Sequence, residues 1–576
     1  MEKTKWYHKY GSLLWIGAFL AVVLLGIAIP FDYYFDLNDD VYIKNISSGI
    51  YSGTPATHNI QMMYPLSFLL GLMYRLFPNV VWYSIFIVVC NFGSLVLLLW
   101  TVFTKVKNGV LRGILGSVIT VLFTGFLYYD LVFTQYTVTA ALLTGTAAFR
   151  FYLTDGKLSC VSFWKKNAGN ILLLVLAYCI RSEMLLLLLP MSGVIGLCKW
   201  SMAKPMFTKE ECLKYFGTFG FIVCGLFLVT IVHSVAYSSD NWSEFMDLFD
   251  GRTQLYDYQT IPSYEGNEAF YDSLSLEKEE VDLLITYNFG LSDKIDGELL
   301  MQIAEYAKGL KAEQTSLRAT LGQALTDYRY RTFHNTDFPW NLAVLICYFL
   351  VFFFATTGKQ YGYLWKLIFL GVVRSALWMY ICVGQRAPGR ITHSLYFAEL
   401  CILAAFLWEL GTNGKKWLSG LSITVLGLLG FVMLGVNAEA VKEECAKKEA
   451  ARQEWEMAEK YCAAGEENFY FFDLYSAVGY SEKLFADWKN TTKNYDLLGG
   501  WVVKSPLTQE KLSNAGMASA FDAIVEKENV FVIAKPKWGV EDINAYLSAK
   551  GMEGSLTVCD EIISGEETLF LVYQYE

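Results

Sequence analysis

The sequence has few charged residues. Only 18% of its 576 residues are Asp, Glu, Lys or Arg, whereas 54% are hydrophobic, and its mean hydropathy is +0.33. A soluble domain ordinarily carries about 25% charged residues. The composition therefore excludes an ordinary soluble enzyme and favours a chain that lies largely in a membrane.

The sequence also lacks an excess of basic charge and a pattern of paired cysteines. Its formal net charge is −10 at pH 7, so no broad basic surface is available to bind a nucleic acid. Most of the twelve cysteines lie in apolar runs, which favours small buried core residues over a disulfide framework or a zinc site. The six that we expect in the core are Cys90, Cys179, Cys224, Cys347, Cys382 and Cys401.

Long apolar runs, in contrast, fill most of the chain. A helix needs about 20 apolar residues to cross about 30 Å of hydrocarbon, and we predict a polytopic α-helical membrane protein with about eleven transmembrane helices. The expected spans, of which the fifth and sixth are short, are 12–30, 81–101, 111–128, 132–149, 169–180, 183–198, 214–236, 338–356, 364–383, 392–410 and 417–437. The first is too long for a cleavable signal and is expected to remain as a span.

Lysine and arginine residues collect after alternate spans. Lys105, Lys157, Lys204 and Lys359 each lie in a different one of these connections. Because cytoplasmic loops carry the excess of Lys and Arg, this alternation predicts a cytoplasmic amino terminus. With an odd number of spans, the carboxy terminus of a multi-pass protein in the cell membrane is then extracytoplasmic.

Three polar segments are predicted to face the exterior, namely residues 31–80, 237–337 and 438–576. We divide the chain into a transmembrane core, 1–437, that includes the first two segments as outer loops, and an extracytoplasmic domain, 438–576. The second segment has 8 Lys and Arg against 19 Asp and Glu, and the third has 14 against 25, so each carries −11 and the remainder +12.

The carboxy-terminal segment has the pattern of a small α/β domain. Strand-like runs occur at 468–472, 530–533 and 568–573, and a helical stretch at 540–549 lies between the last two. A charged helix at 438–460 precedes them. Mixed strands and helices of this length predict an α/β fold.

The first outer loop holds the most informative acidic residues. Asp36, Asp39 and Asp40 lie within five residues, in a loop that also contains His58 and Tyr64. They could form a solvated acidic turn. Alternatively, a carboxylate that is partly desolvated near the membrane surface can have a raised pKa and act as a general base towards a hydroxyl group.

Several arginines lie where a charge is expensive or is disfavoured by topology. Arg181 and Arg374 interrupt apolar runs, and each could face a cavity or form a structural pair, Arg181 with Glu183. Arg386 and Arg390 flank a Pro-Gly turn at the predicted outer mouth. Guanidinium groups bind phosphate oxygens well, so a lipid phosphate is one explanation and an ion pair with the acidic outer segments is the other. His58 and His393 are more often structural than catalytic residues.

Taken together, these residues resemble the C-type (GT-C) integral membrane glycosyltransferases. The match rests on the acidic pair at 39–40, the sequences Gly-Ile-Tyr-Ser-Gly-Thr-Pro at 49–55 and Tyr-Pro-Leu at 64–66, His58, and Pro-Asn-Val-Val-Trp-Tyr at 78–83. The resemblance implies a multi-span core with an active site on the outer face. It also implies transfer of a sugar from a polyprenyl-phosphate carrier to an envelope glycan or lipid acceptor, with membrane lipids as further partners.

The resemblance also implies roles for individual residues. Asp39 aligns with the first-loop catalytic acid of the family and Asp40 with the acidic residue that often follows, although Asp-Asp stands here where Asp-Glu is common, which leaves the choice of base open. Carrier-phosphate binding is expected from Arg181, Arg386 and Arg390, with His58 and Tyr64 near the substrate. Some members use a divalent metal, but the ligand spacing supports none here, and we predict no cofactor.

Two other functions fit part of the pattern. A transporter or flippase for a lipid-linked saccharide would use Arg181, Glu183 and Arg374, with the two short spans as half-helices. An envelope scaffold would have no cleft beside Asp39 and Asp40. The absence of a detectable repeat and the large exterior segments favour the glycosyltransferase.

Overall fold

The computed structural model describes residues 2–334, 337–413, 416–480, 482–486 and 493–576. In chain order, the helices of the amino-terminal part are α1 (Glu2–Ala28), α2 (Asn38–Ser48), α3 (Tyr64–Leu76), α4 (Trp82–Phe103), α5 (Gly109–Val132), α6 (Tyr136–Tyr152), α7 (Cys160–Ile180), α8 (Ser182–Trp200), α9 (Lys209–Ala236), α10 (Asp240–Tyr258), α11 (Glu268–Ser273), α12 (Lys278–Ile285), α13 (Gly297–Gln314), α14 (Leu317–Phe333), α15 (Trp340–Thr357), α16 (Gly362–Val383), α17 (Gly389–Asn413) and α18 (Lys416–Ala464). Each of the eleven predicted spans falls on one helix.

The chain is a polytopic α-helical membrane protein. In the part of the chain that the structure describes, nine helices are long and apolar enough to cross a membrane: α1, α4, α5, α8, α9 and α15 to α18. Of the other two at predicted spans, α6 has 17 residues and α7 carries Lys165 and Lys166 in its first half. Nine helices are therefore both long and apolar enough to span a membrane, two fewer than the eleven predicted spans.

Helices α7 and α8 are longer than the sequence indicated. They have 21 and 19 residues, which at 1.5 Å per residue gives each about 30 Å, enough for a full crossing. They are separated only by Arg181, whose backbone is extended at φ −153° and ψ 98°. The expectation of half-helices at this point, on which the transporter alternative drew, is wrong.

Five of the six cysteines predicted as core residues are buried, but Cys224 on α9 is exposed. This helix presents large apolar side chains outward, among them Phe227 and Leu228. A helix in a membrane can face lipid with apolar residues, so an apolar run alone does not distinguish a core position from a lipid-facing one. The prediction of a core position for Cys224 is wrong for this reason.

The carboxy-terminal part is an α/β domain, as predicted. Its elements are β3 (Phe469–Phe472), α19 (Leu474–Ala477), β4 (Tyr495–Leu497), α20 (Pro506–Asn514), α21 (Ala520–Glu526), β5 (Val530–Ala534), α22 (Glu541–Ala549), β6 (Leu556–Ser564) and β7 (Glu567–Tyr575). They form a five-stranded sheet in the order β4-β3-β5-β7-β6. Strands β4, β3 and β5 are parallel, and β7 and β6 are antiparallel additions.

Two features join this domain to the membrane core. Helix α18 has 49 residues, and its apolar first part continues without a break into the charged second part that precedes β3. The first outer loop supplies the other connection, because the backbone N–H of Leu484 donates to the carbonyl oxygen of Tyr33 at 2.8 Å. The small domain therefore rests on the outer loop that carries the acidic residues.

Candidate functional site

The acidic residues of the first outer loop lie at the start of α2. Before them, β1 (Tyr34–Phe35) pairs in parallel with β2 (Phe133–Thr134), which directly precedes α6. This pairing brings the start of α2 next to the start of α6. Asp39 and Asp40 occupy the first turn of α2, where the partial positive charge of a helix amino terminus favours carboxylates.

Asp40 is completely buried. Its Oδ1 accepts hydrogen bonds from the Tyr83 hydroxyl at 2.6 Å and the Tyr136 backbone N–H at 3.2 Å, whereas its Oδ2 has no partner among the described residues. Burial raises the pKa of Asp40 well above its usual range, although the hydrogen bond from Tyr83 opposes the shift. The carboxylates of Asp39 and Asp36 raise it further.

Asp39 is only partly buried, and a residue of the carboxy-terminal domain binds it. The indole Nε1–H of Trp501 donates to its Oδ1 at 3.1 Å. The two neighbouring carboxyl groups therefore differ in environment, since one is enclosed by protein and the other is reachable. Only Asp39 has the access that a base needs in order to touch a substrate.

Arg181 lies at the break between α7 and α8, at the same end of the bundle. Its Nη1 donates to Gln61 Oε1 at 2.7 Å, and the Tyr136 hydroxyl donates to the same oxygen at 3.1 Å. Its Nε is 3.1 Å from Glu183 Oε2, so the expected pair with Glu183 is confirmed. The Arg181 guanidinium carbon also lies 5.3 Å from the centroid of the Tyr136 ring. Because the backbone N–H of Tyr136 donates to Asp40, a single residue, Tyr136, links Arg181 to the acidic pair.

A second group of charges lies on α10, which the sequence did not single out. Arg386 Nη1 is 2.7 Å from Asp257 Oδ2, and Arg252 Nη1 is 3.8 Å from Asp257 Oδ1. The alternative for Arg386, an ion pair with an acidic outer segment, is therefore confirmed. Arg252 also donates from Nε to the Tyr287 hydroxyl. Asp257 thus holds two arginines that lie far apart in the chain.

Asp39 is among the groups that raise the pKa of both Arg181 and Arg252. Burial lowers the pKa of Arg181, but nearby groups raise it more, and it ends above its ordinary value. In decreasing order of effect, those groups are Tyr136, Glu183, Asp39 and Asp257. Burial also lowers the pKa of Arg252, but Tyr287, Asp257 and Asp39 together raise it more. Asp39 therefore acts on both Arg181 and Arg252.

The structure does not bring every predicted site residue into this group. Arg390 lies in the first turn of α17 and forms none of the ion pairs found among the described residues. His58 bonds through Nε2 to the Ala236 carbonyl oxygen at 3.1 Å and stacks on Trp242 at 4.8 Å between ring centroids. Burial lowers the pKa of His58, which favours its neutral form.

Tyr64 belongs to the same aromatic cluster as His58. Their ring centroids are 5.0 Å apart, and the Tyr64 backbone N–H donates to His233 Nδ1 at 3.1 Å. This cluster fixes the outer end of α9 against the first loop. Within the described ranges, no hydrogen bond or ion pair connects its two predicted site residues to Asp39, Arg181 or Arg386.

Three residues of the group were missed from the sequence: Arg252, Asp257 and Trp501. Trp501 did have a local signal, since it follows two glycines. Gly500 has φ 98°, a left-handed conformation that favours glycine, and a side-chain carbon at Gly499 would overlap the Tyr287 carbonyl oxygen. The two glycines therefore allow the turn that brings Trp501 to the first outer loop.

Arg374, the remaining intramembrane arginine, has a structural partner. Its Nε is 3.0 Å from Glu399 Oε2, and both side chains are buried. Its Nη1 also donates to the Tyr328 hydroxyl at 2.5 Å. Structural pairing of Arg374 is confirmed, and this arginine is not available to a transported substrate.

Among the residues that the structure describes, there is no group of three or more His, Cys, Asp or Glu side chains placed to bind a metal ion. The ionisable groups that the site does contain are a reachable carboxylate, a buried one and several guanidinium groups.

Comparison with known proteins adds little to what these residues show. No known family model matches the chain, and no curated protein matches it. The crystal structure of ArnT from Cupriavidus metallidurans bound to undecaprenyl phosphate is similar to this chain at 12% identity and a TM-score of 0.38, over 97% of this chain and 98% of that one.

Proposed function

We propose that the protein is a membrane glycosyltransferase that moves a sugar from a polyprenyl-phosphate carrier to an acceptor hydroxyl at the outer face. The observation that supports this best is the position of Asp39. It is a reachable carboxylate whose charge acts on both Arg181 and Arg252. A base next to cationic groups is what the transfer of a sugar from a phosphate requires.

In the proposed reaction, Asp39 is the general base. Its free oxygen takes the proton of the acceptor hydroxyl, while the acceptor oxygen forms a bond to the anomeric carbon of the sugar. The bond between that carbon and the phosphate oxygen breaks, and the electron pair leaves with the polyprenyl phosphate. Because the displacement is direct, the configuration at the anomeric carbon inverts.

The arginines stabilise the phosphate as negative charge develops on it. Arg181 and Arg386 were expected to do so, and we add Arg252, which shares Asp257 with Arg386. Asp257 carries one negative charge between two arginines, so a phosphate oxygen can bind there without displacing it. Guanidinium groups stay protonated at any relevant pH and offer paired donors to phosphate.

Asp40 is a positioning residue in this proposal. Its carboxyl group is buried and cannot contact a substrate, but it binds the start of α6 and Tyr83 of α4 to the first turn of α2. It thereby fixes the direction in which Asp39 points. Burial raises the pKa of Asp40, which favours a neutral side chain next to the ionised base.

The experiment compares the purified full-length protein with Asp39→Asn in sugar transfer from polyprenyl-phosphate donors. Loss of a general base typically costs about 10²–10⁴-fold in rate, and we expect a loss in that range. Asp240→Asn, an exposed aspartate at the start of α10, is the matched control and should transfer at the wild-type rate. Transfer by Asp39→Asn at the wild-type rate would overturn the assignment of the base.

A further inference from the structure

A large cavity lies at the end of the bundle opposite the acidic site. Its volume is about 770 Å³, and it is enclosed by the connections α4–α5, α6–α7 and α8–α9 and by the end of α17. Four lysines line it: Lys105, Lys157, Lys199 and Lys204. These connections carry the Lys and Arg residues that predict a cytoplasmic location.

The cavity is lined by fewer carboxylates than lysines, and one of these carboxylates is neutralised. Its carboxylates are Asp155, Glu211 and Glu409. Lys214 lies 2.7 Å from Glu211 and so neutralises it. Lys366 lies behind the wall, 3.2 Å from the Tyr152 hydroxyl. Glu210 adjoins the cavity in the same way, 3.8 Å from Lys214 Nζ. Six ammonium groups therefore line or adjoin the cavity against four carboxylates.

Lys199 is the most informative of these lysines because most of its side chain is buried but its Nζ is open to the cavity. It is 9% exposed, and among the described residues its Nζ has neither a hydrogen bond nor an ion pair. Its Nζ lies 5.5 Å from the centroid of the Tyr152 ring. Glu409 and Asp155, which line the same cavity, attract Lys199 electrostatically, but among the described residues neither forms an ion pair with it. A largely buried ammonium group ordinarily has a direct partner, and an anion bound in the cavity would supply one to Lys199.

Next to the lysine cavity is an apolar groove of about 370 Å³ between α6, α7, α8 and α9. Tyr215 lines both spaces, and Trp200 of the groove follows Lys199 directly in the chain. The outer wall of the groove includes Phe216 and Phe219, which are 62% and 59% exposed. The groove is therefore open to the surrounding hydrocarbon and adjoins the charged cavity, with Tyr215 as a common wall.

We propose that this end of the protein binds an anionic phospholipid of the surrounding leaflet, which the positive-inside rule makes the cytoplasmic one. The phosphate group lies among the lysines and contacts Lys199, and an acyl chain occupies the apolar groove. Basic pockets between transmembrane helices bind lipid headgroups in this manner. The charge of the cavity selects an anionic headgroup, and the adjoining groove favours a lipid over a soluble phosphate. This site is separate from the proposed transfer reaction.

The test measures lipid binding to the purified full-length protein in detergent. The probes are a phosphatidylglycerol, a phosphatidylcholine with the same acyl chains, and inorganic phosphate. A lysine near an anionic lipid contributes about 1 kcal/mol, or about fivefold in affinity. We expect wild type to bind phosphatidylglycerol at least about fivefold more tightly than phosphatidylcholine, and Lys199→Met to lose that preference.

Two further variants protect the test from a folding defect at the buried position. The double variant Lys105→Gln/Lys204→Gln changes two exposed lysines of the cavity and should also reduce the preference for phosphatidylglycerol. The control, Lys209→Met, changes an exposed lysine at the start of α9 and should leave the preference unchanged. Equal binding of the two lipids by wild type would overturn the proposal. Binding of inorganic phosphate that depends on Lys199 and is not displaced by phosphatidylglycerol would overturn it in favour of a soluble ligand.

Discussion

Trp501 and Asp39 are 462 positions apart in the chain, and the indole Nε1–H of Trp501 donates to Asp39 Oδ1 at 3.1 Å. A second contact supports the same arrangement, since the Tyr42 and Trp501 ring centroids are 5.9 Å apart. A third joins the Tyr51 hydroxyl to Asp496 Oδ2 at 3.0 Å. The carboxy-terminal domain therefore does more than cover the first outer loop, because it supplies a donor to the proposed base.

Removing this donor should slow the reaction without unfolding the protein. Trp501→Phe keeps an aromatic ring against Tyr42 but deletes the Nε1–H. A hydrogen bond to a charged group contributes about 1.5–3 kcal/mol, so we expect sugar transfer to fall by about 10- to 100-fold at a nearly constant melting temperature. Trp538→Phe, at a 45% exposed position, is the control. A wild-type rate for Trp501→Phe would show that the contact is not functional.

The buried Asp40 should make stability depend on pH. Its pKa is raised in the folded state by burial, so its contribution is present below the unfolded pKa of about 3.9 and is lost as pH rises through the folded value. Asp40→Asn keeps an oxygen for Tyr83 and Tyr136 but does not ionise. Its melting temperature relative to wild type should increase from about pH 5 to about pH 8. A difference that is constant with pH would contradict the assigned shift.

The membrane part of the fold could be predicted because its physical cause is local. A run of apolar residues marks a span by itself, and each predicted span falls on a helix. Likewise, three of the strands in the small domain were predicted from continuous apolar runs. Strand β4 has only three residues, and β6 has seven exposed side chains among its nine, so neither shows the pattern of a buried strand.

The site was less predictable, because long-range packing decides which charges meet. Asp39 stood out because it belongs to a cluster of aspartates in the first loop, and Arg181 because it interrupts an apolar run. Arg252 and Asp257 lie in the segment 237–337, which is rich in charges, and nothing in its sequence distinguishes a residue that faces Arg386 from one that faces water. His58 was singled out from a motif, and its ring packs against Tyr237 and Trp242, contacts that the sequence did not indicate.

Arg252 should be needed for binding of the carrier phosphate. Arg252→Gln removes the charge and keeps a side chain that can hydrogen-bond to Tyr287. Charge-assisted contacts of this kind contribute about 1.5–3 kcal/mol, so kcat/KM for the polyprenyl-phosphate donor should fall by about 10- to 100-fold. Arg329→Gln, an exposed arginine on α14, should behave as wild type. The assignment fails if both variants retain the wild-type kcat/KM.

The Arg374–Glu399 pair should contribute to stability and not to transfer. Its two side chains are buried between α16 and α17, so removal of one charge leaves the other without its counter-ion, at a cost of about 3–5 kcal/mol. Arg374→Met and Glu399→Gln should each lower the free energy of unfolding by about that amount. The double variant should lose less than the sum of the two, because neither charge is then left alone, and pairs in contact couple by about 0.5–3 kcal/mol.

Thermal unfolding in detergent measures the four proteins of this cycle. Arg318→Met, at an exposed position of α14, is the control for losing an arginine outside this pair. Strictly additive losses would show that the two side chains act independently, and a transfer rate that falls more steeply than the folded fraction would give Arg374 a role in the reaction.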